Sequence, residues 1–208
     1  MMVYTKEILR LARRVPVITP EIVSRALLIP IKSARRALLH LHKTGRIRRI
    51  CKGYYTLHDD IRVIGTYLNY PSYISFLTAL SIYGLTTQIT ARIEFASLHR
   101  WRAPKCADSL GIRYIKIPKK YFFGYTKTQE GYFIAEPEKA VIDMIIVGQN
   151  PEVHPIEWSK LNPKKLIRYA KISKKIYDKL CQYPPISKKL VPPYKAQHRK
   201  LPSYIRLP

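Results

Sequence analysis

The residues best suited to chemistry are basic and crowd into one short span. Lys32, Ser33, Arg35, Arg36, His40 and Lys43 recur at spacings that share the outer face of a helix, and Arg46, Arg48, Arg49 and Lys52 follow in a turn-forming segment. Guanidinium and ammonium groups in this density bind phosphates, and a helix that carries them can offer Arg, Ser or His to base edges in the major groove. A second group, Asp108, Glu136, Glu138 and Lys139, joins carboxylates to a lysine, the donor set of a metal-dependent nuclease. Its spacing does not build such a site. Glu138 and Lys139 are adjacent and point to different faces, and Pro137 before them marks a helix start.

The basic residues need a scaffold, and residues 1 to 58 can supply it. A helix is expected from a cap at Thr5 to about Arg14, with Ile8, Leu11, Ala12 and Val15 at helical spacing. Thr19-Pro20-Glu21 reads as an N-cap, a first-turn proline and a dipole-complementing acid, and Ile22, Val23, Ala26 and Leu27 then form an apolar stripe. Leu28, Ile29 and Pro30 interrupt that helix. The next, from about Ile31 to Thr44 and closed by Gly45, turns Ala34, Ala37, Leu38 and Leu41 inward and the basic residues outward. Arg46 to Leu57 then reads as a hairpin around Lys52-Gly53, with a twist or bulge where alternation fails between Ile47 and Ile50. The order predicts a winged helix-turn-helix with the third helix in the groove and the hairpin as wing.

The whole composition agrees with a polyanion partner. The chain of 208 residues has 38 Lys plus Arg against 13 Asp plus Glu, a formal net charge of +25, and its 47% hydrophobic content is enough for a packed core. The charge is uneven: residues 1 to 58 hold 13 basic and 2 acidic side chains, residues 59 to 150 hold 11 and 8, and residues 151 to 208 hold 14 and 3. No apolar run approaches the ~18 residues needed to cross a bilayer, and the first turns carry Lys6, Arg10, Arg13 and Arg14, so the expected location is the cytoplasm and no membrane partner is expected. Cys51, Cys106 and Cys181 are odd in number, widely spaced and form no CxxC pair, which reads as thiols rather than a disulfide or zinc framework. His40, His42, His58, His99, His154 and His198 are scattered, and no phosphate loop, dinucleotide turn, nucleophile elbow or HExxH pair occurs. Neither enzymatic activity nor a cofactor is expected.

Residues 59 to 150 read as a small antiparallel sheet packed by helices, so the chain as a whole is α+β. Helices are expected at Ile61 to Leu68, at Tyr73 to Tyr83 between a Ser72 cap and Gly84, and from Glu136-Pro137-Glu138 through Val147; β-prone runs fall at Ala91 to Ser97, Ile112 to Pro118, Tyr121 to Tyr125 and Tyr132 to Ala135. Tyr73, Phe76, Leu77 and Leu80 are core candidates, and Lys139 and Asp143 stand four apart for a helical pair. Residues 151 to 182 give two short helices, capped by Asn162 with Pro163 and by Ser173. Residues 183 to 208 hold six prolines and six Lys or Arg, an extended or disordered arm that could pack Tyr183, Tyr194 and Tyr204.

Three runs carry a family resemblance: Tyr70-Pro-Ser-Tyr-Ile-Ser-Phe-Leu-Thr-Ala-Leu-Ser-Ile-Tyr-Gly-Leu-Thr-Thr-Gln88, then Phe122-Phe-Gly124, then Ile134-Ala-Glu-Pro-Glu-Lys-Ala-Val-Ile-Asp143. In this order behind a winged helix, they resemble the AbiEi family of antitoxins over about residues 1 to 180. The matching positions are Ser72, Tyr73, Ser75, Leu80, Gly84, Glu138, Lys139 and Asp143, whose chemistry reads as structural. The resemblance implies a transcriptional autoregulator that represses its own operon and opposes a nucleotidyltransferase-like toxin of a type IV toxin-antitoxin pair. The tail after about Gln182 has no counterpart in it. A short recognition helix reads few base pairs, so specific binding to an operator implies a homodimer on an inverted repeat or a second DNA-binding surface. An RNA-binding or RNA-processing protein, a standalone regulator and a pure interaction protein stay open as alternatives.

Overall fold

A computed structural model describes residues 4–99 and 105–183. It opens with α1 (Thr5–Arg14), α2 (Pro20–Leu27) and α3 (Ile31–Lys43), then the strands β1 (Arg48–Cys51) and β2 (Tyr54–Thr56). The Thr19 hydroxyl caps α2 by accepting from the Ile22 amide at 3.4 Å. Thr5 does not cap α1: Tyr4 holds that position without a side-chain bond, and Thr5 is buried in the first turn. α2 ends where Leu28 adopts a left-handed conformation, φ 53°, which turns the Ile29 amide back onto the Ser24 carbonyl at 3.1 Å. α3 buries Ala34, Ala37, Leu38 and Leu41, as its spacing requires.

The hairpin pairs Arg48 with Thr56, Arg49 with Tyr55 and Cys51 with Tyr54, and the register shifts between Arg49 and Cys51. That shift is the irregularity expected at the Ile47–Ile50 break. Gly53 turns the tip at φ 88°, a value that a side chain would oppose. Ile18, ahead of α2, makes two backbone hydrogen bonds with Tyr55, each of 2.9 Å, so the hairpin is stitched to the helices. Ile8, Ile18, Val23, Leu38, Leu41 and Tyr55 belong to one core cluster.

The second core begins with α4 (Ile61–Leu68), capped by Asp60, whose carboxylate accepts from the Arg62 amide and guanidinium. The Arg62 guanidinium holds the Asp60 carboxyl below its usual range. Then come β3 (Ser72–Ile74), α5 (Phe76–Ile82), β4 (Ile93–Ser97), β5 (Ile112–Lys116), β6 (Tyr125–Lys127), β7 (Phe133–Ala135), α6 (Pro137–Ile146), α7 (Pro163–Ala170) and α8 (Lys174–Leu180). The sheet order is β5-β4-β3-β7-β6. It is mixed rather than antiparallel: β3 with β4 and β6 with β7 are antiparallel, whereas β4 with β5 and β3 with β7 are parallel.

Two local expectations change. The helix read from Tyr73 to Tyr83 divides into β3, at the centre of the sheet, and the shorter α5. The chain turns at Phe76, the first residue of α5, which stands at φ 58° and is wholly buried. A left-handed non-glycine costs about 1–2 kcal/mol and persists because the surrounding packing holds it. Ser72 is therefore a strand residue, whose hydroxyl donates to the Thr66 carbonyl at 3.1 Å, and Ser75 takes the N-cap position. Gly84 does follow the helix, at φ 65°. Of the run Tyr121 to Tyr125 only Tyr125 is in a strand, and Lys119–Tyr121 forms a 3-10 turn.

The cross-strand register fixes which face each side chain takes. Ile74 stands opposite Phe95, and Phe95 beside Tyr114, so these three share the face under α4. There α4 lies close: a Cβ at Gly65 would run into the Phe95 ring, and the Tyr114 hydroxyl donates to the Gly65 carbonyl. Tyr73 and Ala96 share the opposite face, against α6. Leu166, Ile167, Ile176 and Leu180 from α7 and α8 join the same core as the sheet. Of the tail, Tyr183 stacks on Trp158 with ring centres 5.9 Å apart, and Tyr194 and Tyr204 lie outside the described residues.

The cysteine expectation is overturned at two of three positions. Cys51, at the end of β1, is disulfide-bonded to Cys106, in a 3-10 turn (Lys105–Leu110) that precedes β5. The bond ties the hairpin to the second core across a sequence separation of 55. Closing a loop of that length stabilises the chain by about 4 kcal/mol in the chain-entropy model. Cys51→Ser, or a reducing agent, should therefore lower the unfolding free energy by about 2–4 kcal/mol in denaturant titrations, with the hairpin amides the first to gain exchange. Equal stability in oxidised and reduced samples would contradict the tether.

Candidate nucleic-acid interface

The outer face of α3 and the hairpin form one basic surface. Lys32, Arg35, Arg36, His40, Lys43, Arg46, Arg48, Arg49 and Lys52 are all exposed, and Ser33 is half-buried. At 1.5 Å per residue α3 is about 20 Å long, and a helix of ordinary girth fits a major groove about 12 Å wide. Between helix and hairpin lies an open cleft of about 660 Å³. Arg35 and Leu39, one turn apart on α3, form one wall, and Arg49, Lys52 and Gly53 form the other. Tyr54, Tyr55 and the start of α2 with its cap, Thr19, Pro20 and Glu21, complete the lining.

The residues expected to meet nucleic acid therefore separate into three groups. Arg35, Arg49 and Lys52 meet in the cleft. Lys32, Ser33, Arg36, His40 and Lys43 do not line it and take the neighbouring stripe of α3, with Arg46 just beyond the helix end. Arg48 turns away, donating to the His58 carbonyl at 2.7 Å and lying 3.6 Å from the Asp59 carboxylate. That side chain braces the hairpin's exit while staying exposed, and Arg49 in turn donates to the Cys51 carbonyl at 3.3 Å. Sequence reasoning missed the α2 start and Leu39. The Thr19-Pro20-Glu21 signature marked a helix N-terminus, where amides favour anions, but only the tertiary fold brings it opposite Arg49. Glu21 is the one acid among the cleft residues and biases anion contact toward the arginine walls.

Four residues of the runs Tyr70 to Gln88 and Ile134 to Asp143 meet elsewhere, in the closed interior. The Lys139 ammonium pairs with the Asp143 carboxylate; the Tyr73 hydroxyl donates to Asp143 at 3.0 Å and accepts from Lys139 at 3.0 Å, and the Ser75 hydroxyl donates to Asp143 at 2.8 Å. All four side chains are fully buried. Burial pushes the Asp143 carboxyl up and the Lys139 ammonium down, and their mutual attraction opposes both shifts. Burial, and then the Asp143 charge, pushes the Tyr73 phenol up. The quartet pins α6 to β3 and to the start of α5. Wholly buried and bonded to one another, the four hold these elements together.

Of the nuclease grouping Glu136 and Glu138 come together, facing Lys165 at 3.1 and 3.6 Å, with Glu136 also accepting from Tyr169 and Glu138 from the Asn162 amide at 2.9 Å; Asp108 pairs with Arg92 at 2.8 Å and Lys139 belongs to the buried quartet. Burial, and then the hydrogen bond to Glu136, raises the Tyr169 phenol to about 12. Among the described residues no group of three or more His, Cys, Asp or Glu could hold a metal ion, and no helix is long and apolar enough to cross a membrane. Leu80 is wholly buried in the sheet core.

The chain matches no protein-family model, and no curated protein matches it. It is similar to the crystal structure of the RV2827C protein from Mycobacterium tuberculosis, with 13% sequence identity and a TM-score of 0.48. The likeness covers 85% of this chain and 76% of that one, and no functional reading follows from it.

Two mutational outcomes separate cohesion from recognition. Lys139→Met or Asp143→Asn should each lower the unfolding free energy by about 3–5 kcal/mol, because each strands a buried charge or donor, and Lys139→Met with Asp143→Leu should recover much of it. Urea unfolding reads all three; single variants as stable as the wild type would contradict the buried pair. On the surface, Arg35→Ala with Arg36→Ala should remove discrimination between duplex sequences, at about 1–3 kcal/mol for each base edge no longer read. Arg49→Ala with Lys52→Ala should weaken all duplexes alike and flatten the salt dependence by about one unit of slope for each phosphate no longer neutralised. Anisotropy titrations at several salt concentrations read both, and loss of discrimination by the hairpin variant alone would reverse the assignment.

Proposed function

We propose that the chain is a double-stranded-DNA-binding regulator built on a winged helix-turn-helix over residues 1 to 58, with α3 in the major groove and the hairpin as wing. The observation that carries this reading is the cleft in which Arg35 from α3 faces Arg49 and Lys52 from the hairpin. A duplex entering along α3 would meet base-reading and phosphate-binding groups at once, which is how such modules divide their labour. The wing contacts are Arg49 and Lys52, joined by Arg46 and Arg48. Residues 59 to 150, the helices of 151 to 182 and the basic tail then form the effector part, in a protein that acts in the cytoplasm.

The further reading, that this regulator is a type IV antitoxin acting on its own operon against a nucleotidyltransferase-like toxin, rests on the motif runs from Tyr70 to Gln88 and Ile134 to Asp143. A homodimer on an inverted repeat fits the small footprint of one such module. A competition assay tests the DNA reading. A labelled duplex from upstream of the gene, held on the full chain near physiological salt, should be displaced by unlabelled copies of itself at far lower concentration than by single- or double-stranded RNA of equal length. RNA displacing it equally well would move the basic surface to an RNA partner.

A further inference from the structure

The hairpin is held to the molecule at two places, and only one of them reaches its tip. The Tyr55 backbone is bonded to Ile18, which fixes the hairpin as far as the pair Arg49 and Tyr55. Beyond that pair the register shifts, and Cys51 opposite Tyr54 closes the strands before the turn at Gly53. A bulge bends a strand and interrupts its ladder, so the tip can hinge there. Both hairpin cations of the cleft depend on what lies past the bulge. Lys52 follows Cys51 in the chain, and the Arg49 guanidinium donates to the Cys51 carbonyl at 3.3 Å. Ile50 and Tyr54, both half-buried, rest on the sheet core, and the bond from Cys51 to Cys106 locks them to it.

The other end of that bond is a fixed post. The 3-10 turn that carries Cys106 sends Ala107 into the sheet core. The Ser109 hydroxyl donates to the Cys106 carbonyl at 2.9 Å, and Asp108 pairs with Arg92 at 2.8 Å. Opening the bond therefore releases the tip and leaves the post in place. The helical core of Ile8, Val23, Leu38 and Leu41 and the Ile18–Tyr55 stitch do not involve it. Both cysteines are half-buried rather than enclosed, so a thiol reductant can reach them. The cytoplasm proposed for this chain is kept reducing by thiols, and the disulfides that form there are as a rule transient and redox-sensing.

We infer that the Cys51–Cys106 cystine is a redox modification site that sets the hairpin's hold on DNA. Oxidised, it keeps Arg49 and Lys52 in the cleft wall; reduced by a dithiol of the thioredoxin class, it frees them. The inference rests on the DNA reading of the α3 and hairpin cleft. In the reductive step a thiolate of the dithiol attacks one cysteine sulfur, forming a mixed disulfide, and the other cysteine leaves as a thiolate. The second thiol of the reductant then displaces the remaining protein sulfur. Two electrons pass to the protein, the reductant ends as its own disulfide, and its two protons end on Cys51 and Cys106. A disulfide oxidant such as oxidised glutathione reverses the exchange. Arg35 and Arg36 stand on α3, which the bond does not touch, so the switch sets phosphate contact and leaves sequence preference in place.

The test uses the full chain with Cys181→Ser, so that only the pair exchanges thiols. Anisotropy titrations with the duplex upstream of the gene and a scrambled duplex compare the chain oxidised by oxidised glutathione and reduced by dithiothreitol, with thiol titration confirming each state. Reduction should weaken both duplexes alike, by roughly tenfold near physiological salt, and lower the salt slope by about two units for the two cations released. Reoxidation should restore both. Cys51→Ser and Cys106→Ser should each bind as the reduced chain does and ignore the reductant. Arg49→Ala with Lys52→Ala should change by no more than about twofold on reduction, because the groups the bond positions are gone. Hydrogen exchange should quicken at the Lys52, Gly53 and Tyr54 amides on reduction and stay slow at Leu38 and Leu41. Equal binding in both redox states would overturn the switch and leave the DNA reading standing. A reductive loss just as large in the Arg49 and Lys52 variant would also overturn it, making the bond a support of the whole fold. An oxidised chain that binds no duplex would remove the DNA reading itself, and the inference with it.

Discussion

The pair of backbone hydrogen bonds between Ile18 and Tyr55 decides whether this chain has a basic cleft at all. A two-stranded hairpin is marginal by itself, and this one has strands of only four and three residues. The segment ahead of α2 acts as its third strand. Tyr55 is buried among Ile18, Leu38 and Leu41, and the Thr56 hydroxyl donates to the Pro16 carbonyl at 2.6 Å. Because Thr19 caps α2 immediately after Ile18, the same stitch that fixes the hairpin fixes the start of α2 against it. Arg35, Arg49 and Lys52 face one another as a consequence of that packing, at a distance that like charges would otherwise increase.

The same short segment joins the two cores. Val17 packs with the sheet cluster and Ile18, its neighbour, with the helical one, as an extended segment that alternates its faces would require. Ile50 and Tyr54 of the hairpin also lean on the sheet cluster, and the Cys51–Cys106 bond adds a covalent link. On the far side, the buried Lys139, Asp143, Tyr73 and Ser75 hold α6 to the centre of the sheet. The charged surface and its own small core are thereby tied to the larger apolar body. The arrangement suits a chain whose net charge of +25 opposes compactness.

Helical periodicity made the first 58 residues legible almost element by element. The apolar stripe of α3, the Thr19 cap, the break at Leu28 to Pro30 and the irregular β1 each followed from spacing or from the conformational limits of one residue type. The central sheet was less legible for a physical reason. Residues 71 to 80 are all buried, so no apolar-polar alternation distinguishes strand from helix there, and the left-handed Phe76 that opens α5 leaves no signature in residue type. The parallel pairings depend on contacts across long separations, such as Ile74 with Ile134. Cys51 and Cys106 look unrelated in sequence because only folding brings their Cα atoms to 6.2 Å. In the candidate interface, residue types announced the chemistry, but which arginines would converge was a tertiary matter: Arg49 enters the cleft and Arg48, one residue earlier on the strand, does not.

A basic surface attracts any polyanion at low salt, so affinity alone does not separate reading from adhesion. The most direct measurement is a salt titration of full-chain binding to the duplex upstream of its own gene, against a scrambled duplex of equal length. The α3 and hairpin interface predicts that the two isotherms part as salt rises and differ by ~10³ or more near physiological salt. Isotherms that weaken together, with no preference left at that salt, would contradict a sequence-reading regulator.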